Sequence, residues 1–190
     1  MPIRDDSLRL HQFVQCSRVN GPGVRAVFWV QGCSLGCPGC FNSETHSDGG
    51  GVVATVDELF GRISAPDRAI EGVTISGGEP LQQLQPLLTL LRRVRRETAL
   101  SVVLFSGFSW EEIHRMPDAM ALLSCVDILL AGRYDASRRL ARDLRGSSNK
   151  TAHFLTERYT LADLQAVPEA EVIITPDGTV VMSGIEPLQW

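Results

Sequence analysis

No stretch of this 190-residue sequence is long and apolar enough to cross a bilayer, since the most apolar segment, Ala119 to Ala131, is broken by Ser124 and Asp127. The N-terminus, MPIRDDSLRLH, carries charges and lacks the apolar core of a secretory signal. Excess positive charge is also lacking. With 18 Lys and Arg against 22 Asp and Glu, the net charge is −4, and no field draws in nucleic acid. An even disulfide framework is missing too: of five cysteines, Cys33, Cys37 and Cys40 crowd together while Cys16 and Cys125 stand apart, each read as a small core residue. These absences predict a cytoplasmic protein in a reducing compartment, with no nucleic-acid and no membrane partner. With 44% hydrophobic and 21% charged residues, one globular core is expected rather than two.

Leu8 to Arg18 and Val24 to Gln31 read as strands around the turn Asn20-Gly21-Pro22-Gly23. Thr55 caps a helix reaching Ser64, with Glu58 placed for a capping box, and Asp67 to Glu71 is a connection. Strands and helices then alternate. Strands are expected at Gly72 to Ser76, Leu100 to Phe105 and Cys125 to Ala131, a helix at Leu81 to Thr98, and helical turns at Trp110 to Leu123. That order predicts a parallel sheet. Residues 132–151 are polar and Arg-rich and read as a helix ending at Gly146 followed by a loop, with Ala152 to Leu155 a last short strand. Glu171 to Thr175 and Thr179 to Ser183 flank Pro176-Asp177-Gly178 as a β-hairpin.

The fold class is thus α/β, a partial, open β/α barrel of parallel strands with a C-terminal β-hairpin appendage, too short for a complete barrel of about 250 residues. Residues 1–156 form the core and 157–190 the appendage. In such folds reactive groups gather at the C-terminal ends of the strands. Polar segments Ser76-Gly77-Gly78-Glu79, Ser106-Gly107-Phe108 and Gly132-Arg133-Tyr134 fall there.

The C-x3-C-x2-C spacing of Cys33, Cys37 and Cys40 lets one loop wrap an inorganic centre, with Gly32, Gly36 and Gly39 bending the backbone. Three thiolates on a 4Fe-4S cluster leave one iron open to a chelating small molecule. A zinc site completed by His46 is the alternative. Glu79 is an acceptor for a cationic amino group or simply a turn residue. Arg133 is a fork for a carboxylate or a solvated surface arginine. Asn149 with Ser147 and Ser148 offers hydrogen bonds to a ribose or to the cysteine loop, although a Ser-Ser-Asn turn needs no function. The arginines of Arg92 to Arg96 read as the wet face of a helix.

The cysteine run from Cys33 to Asn42, together with Asn20-Gly-Pro-Gly-Val-Arg25, Ser76-Gly-Gly-Glu-Pro80, Ser106-Gly-Phe108 and Arg145-Gly-Ser-Ser-Asn149, resembles the radical S-adenosylmethionine enzymes. Within them it is most similar to the activating enzymes of glycyl-radical proteins of the anaerobic ribonucleotide reductase type. The resemblance implies that Cys33, Cys37 and Cys40 bind a 4Fe-4S cluster whose open iron takes the amino and carboxylate groups of S-adenosylmethionine. Reductive cleavage to methionine and a 5′-deoxyadenosyl radical would follow, with hydrogen abstraction from a glycine of a partner enzyme. It also implies that Gly77 and Gly78 admit the methionine part, that Glu79 accepts from its amino group, and that Phe41 lies near the adenine, with Asn42, Ser106, Arg133, Ser148 and Asn149 completing the cofactor site. An external electron donor such as flavodoxin or ferredoxin is expected. The Ala131-Gly132-Arg133 segment departs from the acidic and lysine residues of similar enzymes, so a small-molecule or peptide substrate is the second reading, and a zinc-binding interaction module the third.

Overall fold

A computed structural model describes residues 6–64, 69–174 and 177–185. The expected connection at Asp67 and Arg68, and Thr175 and Pro176 of the hairpin, lie outside the described residues. The chain begins with strands β1 (Ser7–Ser17) and β2 (Arg25–Val30), antiparallel as expected. Strand β3 (Val52–Thr55), which the sequence does not announce, pairs back onto β1 and leads directly into helix α1 (Val56–Ser64). The capping box forms: Glu58 N–H donates to Thr55 Oγ1 at 3.2 Å and Thr55 N–H to the Glu58 carboxylate at 2.8 Å.

Then follow β4 (Gly72–Gly77), a 3-10 turn at Pro80–Gln83, α2 (Leu84–Glu97) and β5 (Ser101–Phe105). The expected helical turns are two short helices, α3 (Trp110–His114) and α4 (Ala119–Leu123), before β6 (Ile128–Ala131). Strands β2, β4, β5 and β6 run parallel. Strand β9 (Thr151–Phe154) closes the far edge antiparallel to β6, giving the seven-stranded order β3-β1-β2-β4-β5-β6-β9.

The helix expected before Gly146 is absent. In its place β7 (Arg139–Arg142) and β8 (Arg145–Ser147) form a small hairpin. Asp143 and Leu144 both take positive φ, 54° and 58°, which reverses the chain where a helix would have continued. Helix α5 (Leu161–Gln165) follows, and β10 (Ala170–Ile174) pairs antiparallel with β11 (Val180–Gly184), as the hairpin reading expects.

Alternation along the strands divides the core. Val102, Leu104 and Leu129 face α1, α2 and the short helices on one side, while Val103, Ile128 and Leu130 face Leu144 and Leu164 of α5 on the other. The sheet is therefore buried on both faces, which is what the continuous Val, Ile and Leu runs of its central strands require. Arg93 and Arg95 of the arginine run do more than meet water: Arg93 pairs with Asp57 and Glu97, and Arg95 with Asp127 at 3.0 Å. No helix among the described residues is long and apolar enough to cross a membrane.

Candidate active site

The C-terminal ends of β2, β4 and β5 open into a cavity of about 380 Å³, within the range of small-molecule sites. Cys33, Cys37 and Cys40 line it, together with Phe41, Asn42, Gly77, Gly78, Glu79 and Ser106. The cysteine loop leaves β2 at Gly32 and is tied down at both ends. Gly32 N–H donates to Thr45 O at 2.7 Å, Cys33 N–H to His46 O at 3.1 Å, and Glu79 N–H to Gly32 O at 2.9 Å. The last of these bonds is why position 78 is glycine: a Cβ there would lie 2.3 Å from the Gly32 carbonyl oxygen. Asn42 adds a 3.4 Å bond from Nδ2 to Gly77 O, so the loop and the β4 end form one unit.

All three loop cysteines are free thiols, partly open to the cavity. Burial pushes the Cys33 and Cys40 thiols above their ordinary 9.0, and the charge of Cys37 adds to both. Both shifts favour the neutral thiol, and a cationic centre such as iron would reverse that preference. A zinc ion would need its ligands to converge on one point, and no three His, Cys, Asp or Glu among the described residues do so. A 4Fe-4S cluster takes its thiolates on separate irons, several ångströms apart, and does not need them to meet at one point. His46 lines the cavity, and its Nε2 is buried and unpartnered.

Glu79 is 1% exposed, yet its carboxylate accepts three hydrogen bonds. Oε1 accepts from Leu81 N–H at 2.9 Å and Ser106 Oγ–H at 2.9 Å, and Oε2 from Gly107 N–H at 2.7 Å. Glu79 and Ser106 therefore fasten the β4 and β5 ends together. Burial raises the Glu79 pKa above 4.5 despite those three donors.

Arg133, Ser148 and Asn149 are not in the cavity lining. The Arg133 guanidinium grips Glu112 bidentately, at 2.7 and 3.0 Å, so the carboxylate it forks is the protein's own. Ser148 is exposed, its N–H spent on Arg138 O at 2.8 Å, and Asn149 Nδ2 donates to Arg133 O at 2.9 Å. The reason is the β7–β8 hairpin, which turns Ser148 and Asn149 into a brace for the β6 end. The residue after them, Lys150, is in the cavity instead. Sequence reasoning passed over it, although it is the chain's single lysine. Tyr134, of the Gly132-Arg133-Tyr134 strand end and packed on Phe41 with ring centroids 4.7 Å apart, and Val181 to Ile185, beyond the expected core, complete the wall.

Comparison with known proteins agrees with this geometry. Residues 19–153 match the family model of the 4Fe-4S single cluster domain. The chain is 32% identical over 162 residues to the anaerobic ribonucleoside-triphosphate reductase-activating protein of Vibrio cholerae, covering 81% of this chain and 100% of that one. It is 28% identical over 155 residues to the protein of that name from Escherichia coli K12, covering 78% and 99%. It is also 35% identical over 121 residues to the pyruvate formate-lyase-activating enzyme of Clostridium pasteurianum, covering 60% and 51%. With its three thiols, its glycine-lined strand end and a family match over most of its length, the chain belongs to the 4Fe-4S single cluster family of radical S-adenosylmethionine activating enzymes.

Proposed function

We propose that this protein activates an anaerobic ribonucleotide reductase by forming a glycyl radical on it. The observation that carries the reading is the placement of Cys33, Cys37 and Cys40 around one cavity with the Gly77-Gly78-Glu79 strand end. Cys33, Cys37 and Cys40 would hold the 4Fe-4S cluster. When bound, the cluster supplies the electron that splits S-adenosylmethionine into methionine and a 5′-deoxyadenosyl radical, which takes hydrogen from a glycine Cα of the partner.

The chain's own residues bind and shield. Gly77 and Gly78 leave room for the methionine part, and Glu79, held by Ser106 and Gly107, presents its remaining acceptor capacity to the amino group. Phe41, with Asn42 beside it, offers a ring face to the adenine. Phe41, Tyr134 and Phe105 exclude water from the reacting atoms. Arg133, already paired with Glu112, is not part of this assignment.

We read the sheet as an open, partial β/α barrel, with residues 1–156 as its core and 157–190 as an appendage. The net charge of −4 supports an enzyme that does not meet nucleic acid, and we read it as cytoplasmic, with no membrane partner. It would draw its electron from a flavodoxin or ferredoxin.

Anaerobic reconstitution with iron and sulfide, then assay of 5′-deoxyadenosine from S-adenosylmethionine with a strong reductant, tests this reading. Product is expected from the wild type, with at least a 100-fold loss in the Cys33→Ala/Cys37→Ala/Cys40→Ala variant. A glycyl radical seen by electron paramagnetic resonance on the added reductase completes the proof. Product formed only with a small molecule, and no protein radical, would overturn the assignment of partner.

A further inference from the structure

Among its 18 Lys and Arg residues this chain has a single lysine, Lys150. Among the described residues it is also the one Lys or Arg side chain lining the cavity. Lysine normally keeps its ammonium in water, so a partly buried one, set inside the site, calls for a physical reason.

The backbone places it deliberately. Lys150 N–H donates to Ser147 O at 3.1 Å at the start of β9, and its Nζ donates to the Gly132 carbonyl oxygen. Gly132 presents that carbonyl with φ +115°, a conformation that side-chain-bearing residues rarely take. The ammonium so fixed is coupled electrostatically to Glu79, Cys37 and Cys40, and burial lowers its pKa against their attraction. Arg133 also senses Cys37 and Glu79, but its charge is spent on Glu112. Cys37, Cys40 and the Glu79 carboxyl therefore share one cation that is held by a neutral carbonyl and not by a carboxylate.

We propose that Lys150 is the counter-cation of the cluster site, a positioning residue whose ammonium, fixed by the Gly132 carbonyl in the cavity that the three cysteines line, favours the reduced form of the cluster. This rests on the reading that Cys33, Cys37 and Cys40 hold that cluster. An added electron makes a thiolate-ligated cluster more negative, and a fixed positive charge in a water-poor site stabilises that state more than the oxidised one.

The test is a redox titration of reconstituted protein without S-adenosylmethionine, followed by visible absorbance, on wild type, Lys150→Met and Lys150→Arg. Lys150→Met is expected to keep its iron and to show a reduced-to-oxidised ratio at least tenfold lower at a fixed potential, which for one electron is a shift of about 59 mV. Lys150→Arg, which keeps the charge, recovers most of that. A Lys150→Met cluster that titrates within threefold of wild type overturns the proposal, including the case where only affinity for S-adenosylmethionine falls. Should Lys150→Met lose its iron, the single ε-amine allows a second readout on the wild type. Amine acylation at residue 150, read by mass, is expected to slow at least tenfold on cluster loading, and equal rates overturn the proposal. Wild type that takes up no iron overturns both this inference and the cluster reading, whereas the other failures leave the cluster reading intact.

Discussion

The two ends of the same parallel strands are built on opposite principles. At the N-terminal ends Arg25 is completely buried, and its guanidinium donates to Thr74 Oγ1, Pro22 O, Ser101 Oγ, Val73 O and Ser101 O at 2.7–3.0 Å. One side chain thereby stitches β2, β4, β5 and the turn before β2, and Gly72 is bare because a Cβ there would lie 2.4 Å from the guanidinium. At the C-terminal ends the network stays open: three free thiols line a cavity, His46 beside them has an unpartnered Nε2, and the Lys150 ammonium is held by a single carbonyl and by no carboxylate. The comparison teaches that polar groups closed into a network hold the sheet, and polar groups left open do its chemistry.

The comparison breaks first if Arg25 proves dispensable. Arg25→Leu strands several buried acceptors and is expected to cost about 3 kcal/mol or more in a urea titration of the cluster-free protein. Iron bound per folded chain should not change. Lost iron uptake with unchanged stability would invert the assignment of the two ends.

Glu79 sharpens the contrast, because it is a closed network placed at the open end. Its carboxyl is held above 4.5 by burial, so the folded chain keeps the proton longer than the unfolded one. Stability contributed by this group is then lost as pH rises from about 4.5 through the raised value, with a slope of at most about 1.4 kcal/mol per pH unit. Urea midpoints between pH 4 and 8 should show that slope in wild type, and its absence in Glu79→Gln. Equal slopes in the two proteins would show that Glu79 is already ionised throughout.

The smallest effect belongs to the Glu112–Arg133 pair, exposed on the rim. The Arg133 fork, with the Ser109 N–H, brings the Glu112 pKa from 4.5 down to about 2, so its contribution is present above 4.5 and fades as pH falls toward 2. Exposure screens the pair, and Arg133→Gln is expected to change stability by less than about 1 kcal/mol. 5′-Deoxyadenosine formation should stay within threefold of wild type. A loss like that of a cysteine variant would return Arg133 to the cofactor site.

What was legible in the sequence follows the same division. The cysteine spacing and the Gly77-Gly78-Glu79 strand end are local signals, and the central strands announce themselves by apolar runs, so these were readable. Strand β3 was not, because Val52 to Thr55 become a strand only through partners at Ser7 to Leu10. The Arg-rich segment with Arg138, Arg142 and Arg145 has helix-like spacing, and the fold overrides it at Asp143 and Leu144, where a leucine at φ 58° has no signature. Ser148 and Asn149 entered the site reading through the Ser-Ser-Asn pattern and the resemblance, whereas the residue of this segment in the cavity lining is Lys150, one place further on. Arg25 was quoted as part of a motif, but its burial is a property of three strands meeting.

The wall contributed by Val181 to Ile185 lies beyond residue 153, where the family match ends. It belongs to a separate two-stranded sheet moored by Asn20 Nδ2 to Ser183 Oγ at 2.7 Å and Arg18 N–H to Glu171 at 3.0 Å. Among the described residues no ladder bond joins it to the main sheet, so its detachment would leave every strand pair of the core intact. In hydrogen-exchange terms β10 and β11 are expected to behave as a foldon of their own, opening at a free energy set by a few contacts rather than by global stability. Access to the cavity is then expected to be uncoupled from unfolding.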